Sequence, residues 1–191
     1  MLKRILLVVL LTIASAVITT AQTAALKNYY NQENKVGFKY PASWAKGKAK
    51  WDVGTKTNWM EGEEPGFTVL TDLSNPQLRI GSYVNQAEVA LSVAAIDEAT
   101  CKAMKIGNIN QSPDKPVTRK IGTRSFYTIS ASSGAAGSVG DTDYYRTFHE
   151  GRCYELAFMK FGRNTPKRPD AKEKGLDKQF NAILRSLYFG K

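Results

Sequence analysis

The sequence predicts an α+β fold, with helices packed on a central antiparallel β-sheet. Three observations lead there. Seven or eight short segments place apolar residues as strands do, either alternating or in brief runs. Short turn-forming stretches join them, without the repeating strand–helix–strand order that builds a parallel sheet. The chain closes on an amphipathic helix, with Leu176, Phe180, Ile183, Leu184 and Leu187 at helical spacing. Of the 191 residues, 42% are apolar and 23% charged, which excludes collagen-like, disordered and multi-span membrane chains.

The first element reads as an address rather than as part of the fold. Lys3 and Arg4 precede an apolar stretch from Ile5 to about Val17. Small residues follow at Ala14-Ser15-Ala16 and Thr19-Thr20-Ala21. This is the pattern of a secretory signal peptide, assigned to residues 1–21 because polar sequence begins at Gln22. The apolar run is shorter than the ~20 residues of a spanning helix, and no Cys follows it to accept a lipid. A secreted or periplasmic protein is expected, monomeric and without a membrane span after cleavage, with residues 22–191 as a single domain. Cleavage removes two of the 27 basic side chains and none of the 17 acidic ones, leaving a formal charge of +8.

Residues 26–40 read as a hairpin, with Val36, Phe38 and Tyr40 on one face and Pro41 as the stop. A short strand is predicted at Ala49 to Val53, with Lys46, Lys48 and Lys50 alternating beside it. An acidic loop, Gly54 to Pro65, separates it from strands at Gly66 to Leu73 and Leu78 to Val84. Residues 87–96 alternate Val89, Leu91, Val93 and Ala95, so they are assigned to a strand despite their alanines. Asp97 then caps a short helix to Lys105. Gly107 to Pro116 reads as loop, and strands Val117 to Ile121 and Ser125 to Ser130 flank Gly122-Thr123. Residues 131–142, nearly all small or polar, read as a flexible connection. Asp143 to Phe148 and Cys153 to Phe161 form a hairpin around Glu150-Gly151, and a Pro- and Lys-rich linker leads to the final helix.

The residue inventory narrows the chemistry. A single His excludes sites needing two imidazoles, and two Cys exclude thiolate zinc clusters. Ala136-Gly137-Ser138-Val139-Gly140 is a near-match to a nucleophile elbow, with Asp141, Asp143 and His149 following in the chain order of a hydrolase triad. That mechanism needs the Ser on a strained strand-to-helix turn, whereas here a strand follows. A secreted serine hydrolase using Ser138 and His149 is therefore the alternative, and the expectation is no catalytic residue, no cofactor and no metal. His149 with Glu150 as an acid–base pair gives way to a solvated turn. Glu61, Glu63 and Glu64, and Asp141 with Asp143, lack the spacing of a calcium loop. Trp51 and Trp59 are assigned to packing rather than to stacking on a sugar or base.

Two segments carry a family likeness. Phe38-Lys39-Tyr40-Pro41-Ala42-Ser43-Trp44 gives F-x-Y-P-x-x-W, and Phe180 to Leu187 gives F-x-x-I-L-x-S-L. Together they resemble the PsbP-like superfamily. The resemblance implies an α/β/α sandwich around a central antiparallel sheet, and binding or assembly roles without catalysis. It transfers a fold and no functional residue.

Export also predicts a disulfide between Cys101 and Cys153, the only two thiols in an oxidising compartment. Residues 160–191 hold nine basic and three acidic side chains, +6 of the mature +8. Lys167, Arg168, Lys172 and Lys174 are the expected polyanion-binding residues. The expected partner is an anionic envelope polymer or an acidic protein rather than nucleic acid, which lies in another compartment. A structural envelope component held by this basic surface is the remaining alternative.

Overall fold

The computed structural model describes residues 25–47, 67–75, 84–103, 115–135, 138–163 and 171–190. The segment 1–21 assigned to a signal peptide, the strand assigned to 49–53, most of the one at 78–84, Glu61, Glu63, Glu64, Trp51 and Trp59 lie outside these residues.

The hairpin β1 (Leu26–Asn31) and β2 (Val36–Pro41) forms as its alternation requires, with Tyr29 opposite Phe38. Asn31 sets the turn by accepting hydrogen bonds through Oδ1 from the backbone and side-chain nitrogens of Asn34, at 2.8 and 3.2 Å. After β3 (Ala45–Lys46) and β4 (Thr68–Ser74), β5 (Val84–Ala94) is a long strand, as the period-two reading requires. Asp97 ends the run that follows and caps the short helix α1 (Glu98–Ala103), accepting from the Thr100 amide at 2.7 Å. The chain continues through β6 (Val117–Ile121), β7 (Arg124–Ala135), β8 (Ser138–His149) and β9 (Arg152–Arg163). The helix α2 (Ala171–Arg185) and a two-residue strand β10 (Tyr188–Phe189) complete it.

Two antiparallel sheets result, one ordered β1-β2-β10 and the other β3-β4-β5-β9-β8-β7-β6. This corrects the predicted α/β/α sandwich: the protein is mostly β, and its helices do not enclose one central sheet. The reason lies at the far edge of β2. There β10 pairs Tyr188 with Gly37 and Phe189 with Val36, so the entry hairpin closes into a sheet of its own. That small sheet supplies much of the apolar layer expected from helices. The main core joins Val89, Leu91, Leu156 and Phe158 of the large sheet to Val36 and Phe38 of the small one and to Phe180 and Ile183 of α2. On the opposite face of the large sheet, the six-residue α1 is the one helix among the described residues.

The small-residue stretch 131–142 is a second correction. Its described residues, 131–135 and 138–142, are ladder, not loose connection: β7 runs to Ala135 and β8 starts at Ser138. Polar pairs across the ladder explain this. Ser130 Oγ donates to Asp143 Oδ1 at 2.5 Å and Ser132 Oγ to Asp141 Oδ1 at 2.6 Å, so serine can serve in a strand where its partner is directly opposite.

The two family-like segments meet in space. Trp44 is 1% exposed, packs edge-on to Phe180 at 5.8 Å, and donates its indole N–H to Gln179 at 2.7 Å. Ser186 accepts from the Lys39 amide at 2.8 Å and donates to the Ile183 carbonyl at 2.7 Å, which ties the end of α2 to β2.

Candidate functional site

Ser138 and His149 are the first and last residues of the same strand. Twelve residues of strand separate them by roughly 36 Å, so no triad can join them. Asp141 and Asp143 each accept a hydrogen bond from a serine on β7. No cluster of metal-ligating side chains occurs among the described residues.

His149 instead lines a cleft of about 190 Å³ where the tips of two hairpins meet the C-terminal strand. Its ring stacks on Phe189 at 4.0 Å between centroids, and the Arg124 guanidinium lies 4.4 Å from the same ring. Asn34 and Tyr154 form the buried floor. The Tyr154 hydroxyl donates to the Asn34 carbonyl at 3.1 Å, and Arg152 donates to the Asn34 side chain. Burial pushes the Tyr154 phenol above its ordinary range, more than the nearby Arg152 pulls it down. Glu33, Lys35, Glu150 and Arg152 stand exposed around the rim. His149 Nε2 lies 3.8 Å from Glu150 Oε1, and among the described residues no serine, threonine or cysteine lines the cleft.

The charged side chains sort into two groups. On the face of the large sheet away from the main core, Arg146 donates to Glu155 at 2.7 Å, with both side chains at most 3% exposed. The guanidinium also sits 4.6 Å from the Phe67 ring centroid. Tyr144 lies on the same face, and burial raises its phenol far above the ordinary range, with the Glu155 charge adding to the effect. Lys160 is likewise committed, at 3.3 Å from Asp177 and 3.5 Å from Glu173. Burial alone would lower its ammonium, but these carboxylates outweigh burial and raise it.

The second group lies on α2. Lys174, Lys178 and Arg185 are exposed and follow one another at spacings of four and seven, which is one stripe of a helix. They make no ion pair among the described residues. Of the four expected polyanion-binding residues, Lys174 is on this stripe. Lys172 is in α2, its side chain outside the described atoms, and Lys167 and Arg168 lie outside the described residues altogether. The sulfurs of Cys101 and Cys153 are bonded, which joins α1 to β9.

Arg146 and Glu155 escaped the sequence reading although a signal was present. A two-residue turn at Glu150-Gly151 places Arg146 opposite Glu155 by counting back along both strands. In each strand the charge occupies an inward position, between Tyr144 and Phe148 and between Cys153 and Ala157.

No protein-family model and no curated protein matches the sequence. Solved structures do match in shape. The mycobacterial protein LpqN, described as involved in cell envelope biogenesis of Mycobacterium tuberculosis, superposes with a TM-score of 0.50 at 9% identity, over 87% of this chain and 91% of its own. It has a PsbP-like fold. The fold of the present chain is PsbP-like as well. Cyanobacterial PsbP from Synechocystis sp. PCC 6803 gives a TM-score of 0.47 at 12% identity, covering 90% of this chain and 96% of that one. A protein of Bacteroides thetaiotaomicron VPI-5482 gives 0.46 at 15% identity, over 86% of this chain, which spans only 48% of that protein. This PsbP-like likeness concerns fold alone.

Proposed function

We propose that the chain is an exported, non-catalytic binding or accessory protein that engages an anionic envelope polymer or an acidic protein through the outer stripe of α2. One observation carries this reading. Arg146 and Lys160 are committed to carboxylates, whereas Lys174, Lys178 and Arg185 are exposed on α2 and make no ion pair among the described residues. Aligned exposed cations attract a polyanion over roughly a Debye length, about 10 Å at 0.1 M salt. The Cys101–Cys153 bond suits an oxidising compartment. Separation of Ser138 from His149 disfavours the hydrolase alternative, and the envelope role of LpqN agrees with an envelope-facing protein.

The test is retention of the mature chain on isolated envelope material across a salt series, with poly-glutamate as competitor. The reading expects retention at low salt that falls steeply as salt rises and is displaced by the competitor. Retention indifferent to both would overturn it.

A further inference from the structure

We propose that the cleft between the hairpin tips binds a small zwitterion, a free amino acid in class. The inference is independent of the α2 stripe and uses none of its residues. Four observations carry it.

Charges of both signs share the rim. Glu33 and Lys35 come from the β1–β2 turn, Glu150 from the β8–β9 turn and Arg152 from the start of β9. Among the described residues Glu33, Lys35 and Arg152 make no ion pair, either with one another or elsewhere. A simple anion or cation would meet repulsion from half of this rim. A ligand carrying one carboxylate and one ammonium matches it, and charge-assisted hydrogen bonds to such groups are the strong ones.

Two aromatic rings, Phe189 and Tyr154, line the cleft and are already held in place. Phe189 is held by His149 and Arg124, and Tyr154 by Asn34, so a ligand's apolar part meets a rigid surface that costs little to order.

Size restricts the class. About 190 Å³ falls below the ~300–1,000 Å³ typical of pockets for drug-sized molecules, which leaves a metabolite of amino-acid dimensions.

The backbone supplies the fourth observation. Lys35 and Glu150, at φ 48° and 46°, are the non-glycine residues with positive φ among the described residues, and both line this cleft. Asn or Gly would occupy either position with less strain. A long ammonium and a long carboxylate stand there instead, which gives these side chains a task beyond making the turn.

This last point provides variants that will not fail by unfolding. Lys35→Asn and Glu150→Asn each relax a turn while removing a rim charge. The purified full chain is titrated calorimetrically with the standard free amino acids, each beside its Nα-acetyl and carboxamide forms. At least one free amino acid is expected to bind, with blocked forms weaker by about tenfold or more, the loss of one charge-assisted contact. Each variant is expected to weaken that binding by about tenfold while its melting temperature holds or rises, and to leave envelope retention unchanged. The absence of binding by every free amino acid at millimolar concentration would overturn the proposal. So would binding that ignores both blocking groups, or that survives both substitutions.

Discussion

The far face of the large sheet and the outer face of α2 both carry cations, and they use them in opposite ways. Arg146 lies at 0% exposure against Glu155, where its charge belongs to the fold. Lys174, Lys178 and Arg185 lie in solvent, where charge contributes little to stability because water and salt screen it. Net charge therefore says little about recognition until each cation is placed. The net charge of +10 mixes committed and available charge, and the difference can be tested by breaking each in turn.

The largest effect is expected on the sheet. Replacing Glu155 by Ala removes the carboxylate that faces a buried guanidinium and should cost about 3–5 kcal/mol in urea unfolding. The double variant Arg146→Met with Glu155→Leu should recover most of that loss, since an apolar pair of similar volume avoids the desolvation penalty. Lys178→Glu on the helix should stay within about 0.5 kcal/mol of the parent. An equal cost for Lys178→Glu and Glu155→Ala would erase the distinction between the two faces.

Next in size is the bond that fastens α1 to this face. Cys101 and Cys153 are separated by 52 residues, and closing such a loop contributes about 4 kcal/mol at most on the chain-entropy model. The Cys101→Ala, Cys153→Ala variant should lose stability of that order. Free-thiol counting on unfolded, unreduced parent protein should find no reactive thiol.

The entry hairpin, the residues of β5, α1 and α2 were legible because local signals agreed there: alternation in Val89, Leu91 and Val93, a cap at Asp97, a 3.6-residue stripe from Leu176 to Leu187. Two features were not. Tyr188-Phe189 is too short to carry a period, yet its pairing with β2 separates the two sheets and overturns the sandwich. Residues 131–142 have loop composition, and only the register that faces Ser132 with Asp141 shows the described ones, 131–135 and 138–142, to be strand. The cleft was hidden for a related reason. His149 and Glu150 were visible as a pair, but Phe189, Asn34 and Lys35 join them only through long-range pairing.

A smaller effect concerns pH. The Tyr144 phenol is raised by burial and by the Glu155 charge, so the folded state keeps its proton where the unfolded chain releases it. Stability from this group is complete below the unfolded phenol value near ~10 and declines as pH rises beyond it. Lys160 is also raised, its carboxylate partners outweighing burial, and it loses its contribution in the same alkaline direction. Unfolding free energy should fall between about pH 9.5 and 11, and Tyr144→Phe should make the fall shallower. An unchanged slope in that variant would remove Tyr144 from the committed face.

Charge reversal on α2 tests the account most directly. Lys174→Glu, Lys178→Glu and Arg185→Glu are combined in one chain. Lys115→Glu with Lys120→Glu, both exposed at the β6 end of the large sheet, is the control. Retention on isolated envelope material is measured at low and high salt, with melting temperature followed in parallel. The account predicts at least about a tenfold loss for the triple variant at low salt, the equivalent of 1.4 kcal/mol. It predicts little loss for the control, convergence of all three proteins at high salt, and melting temperatures within a few degrees of one another. A triple variant that is retained like the parent, or a control that loses as much, would contradict it.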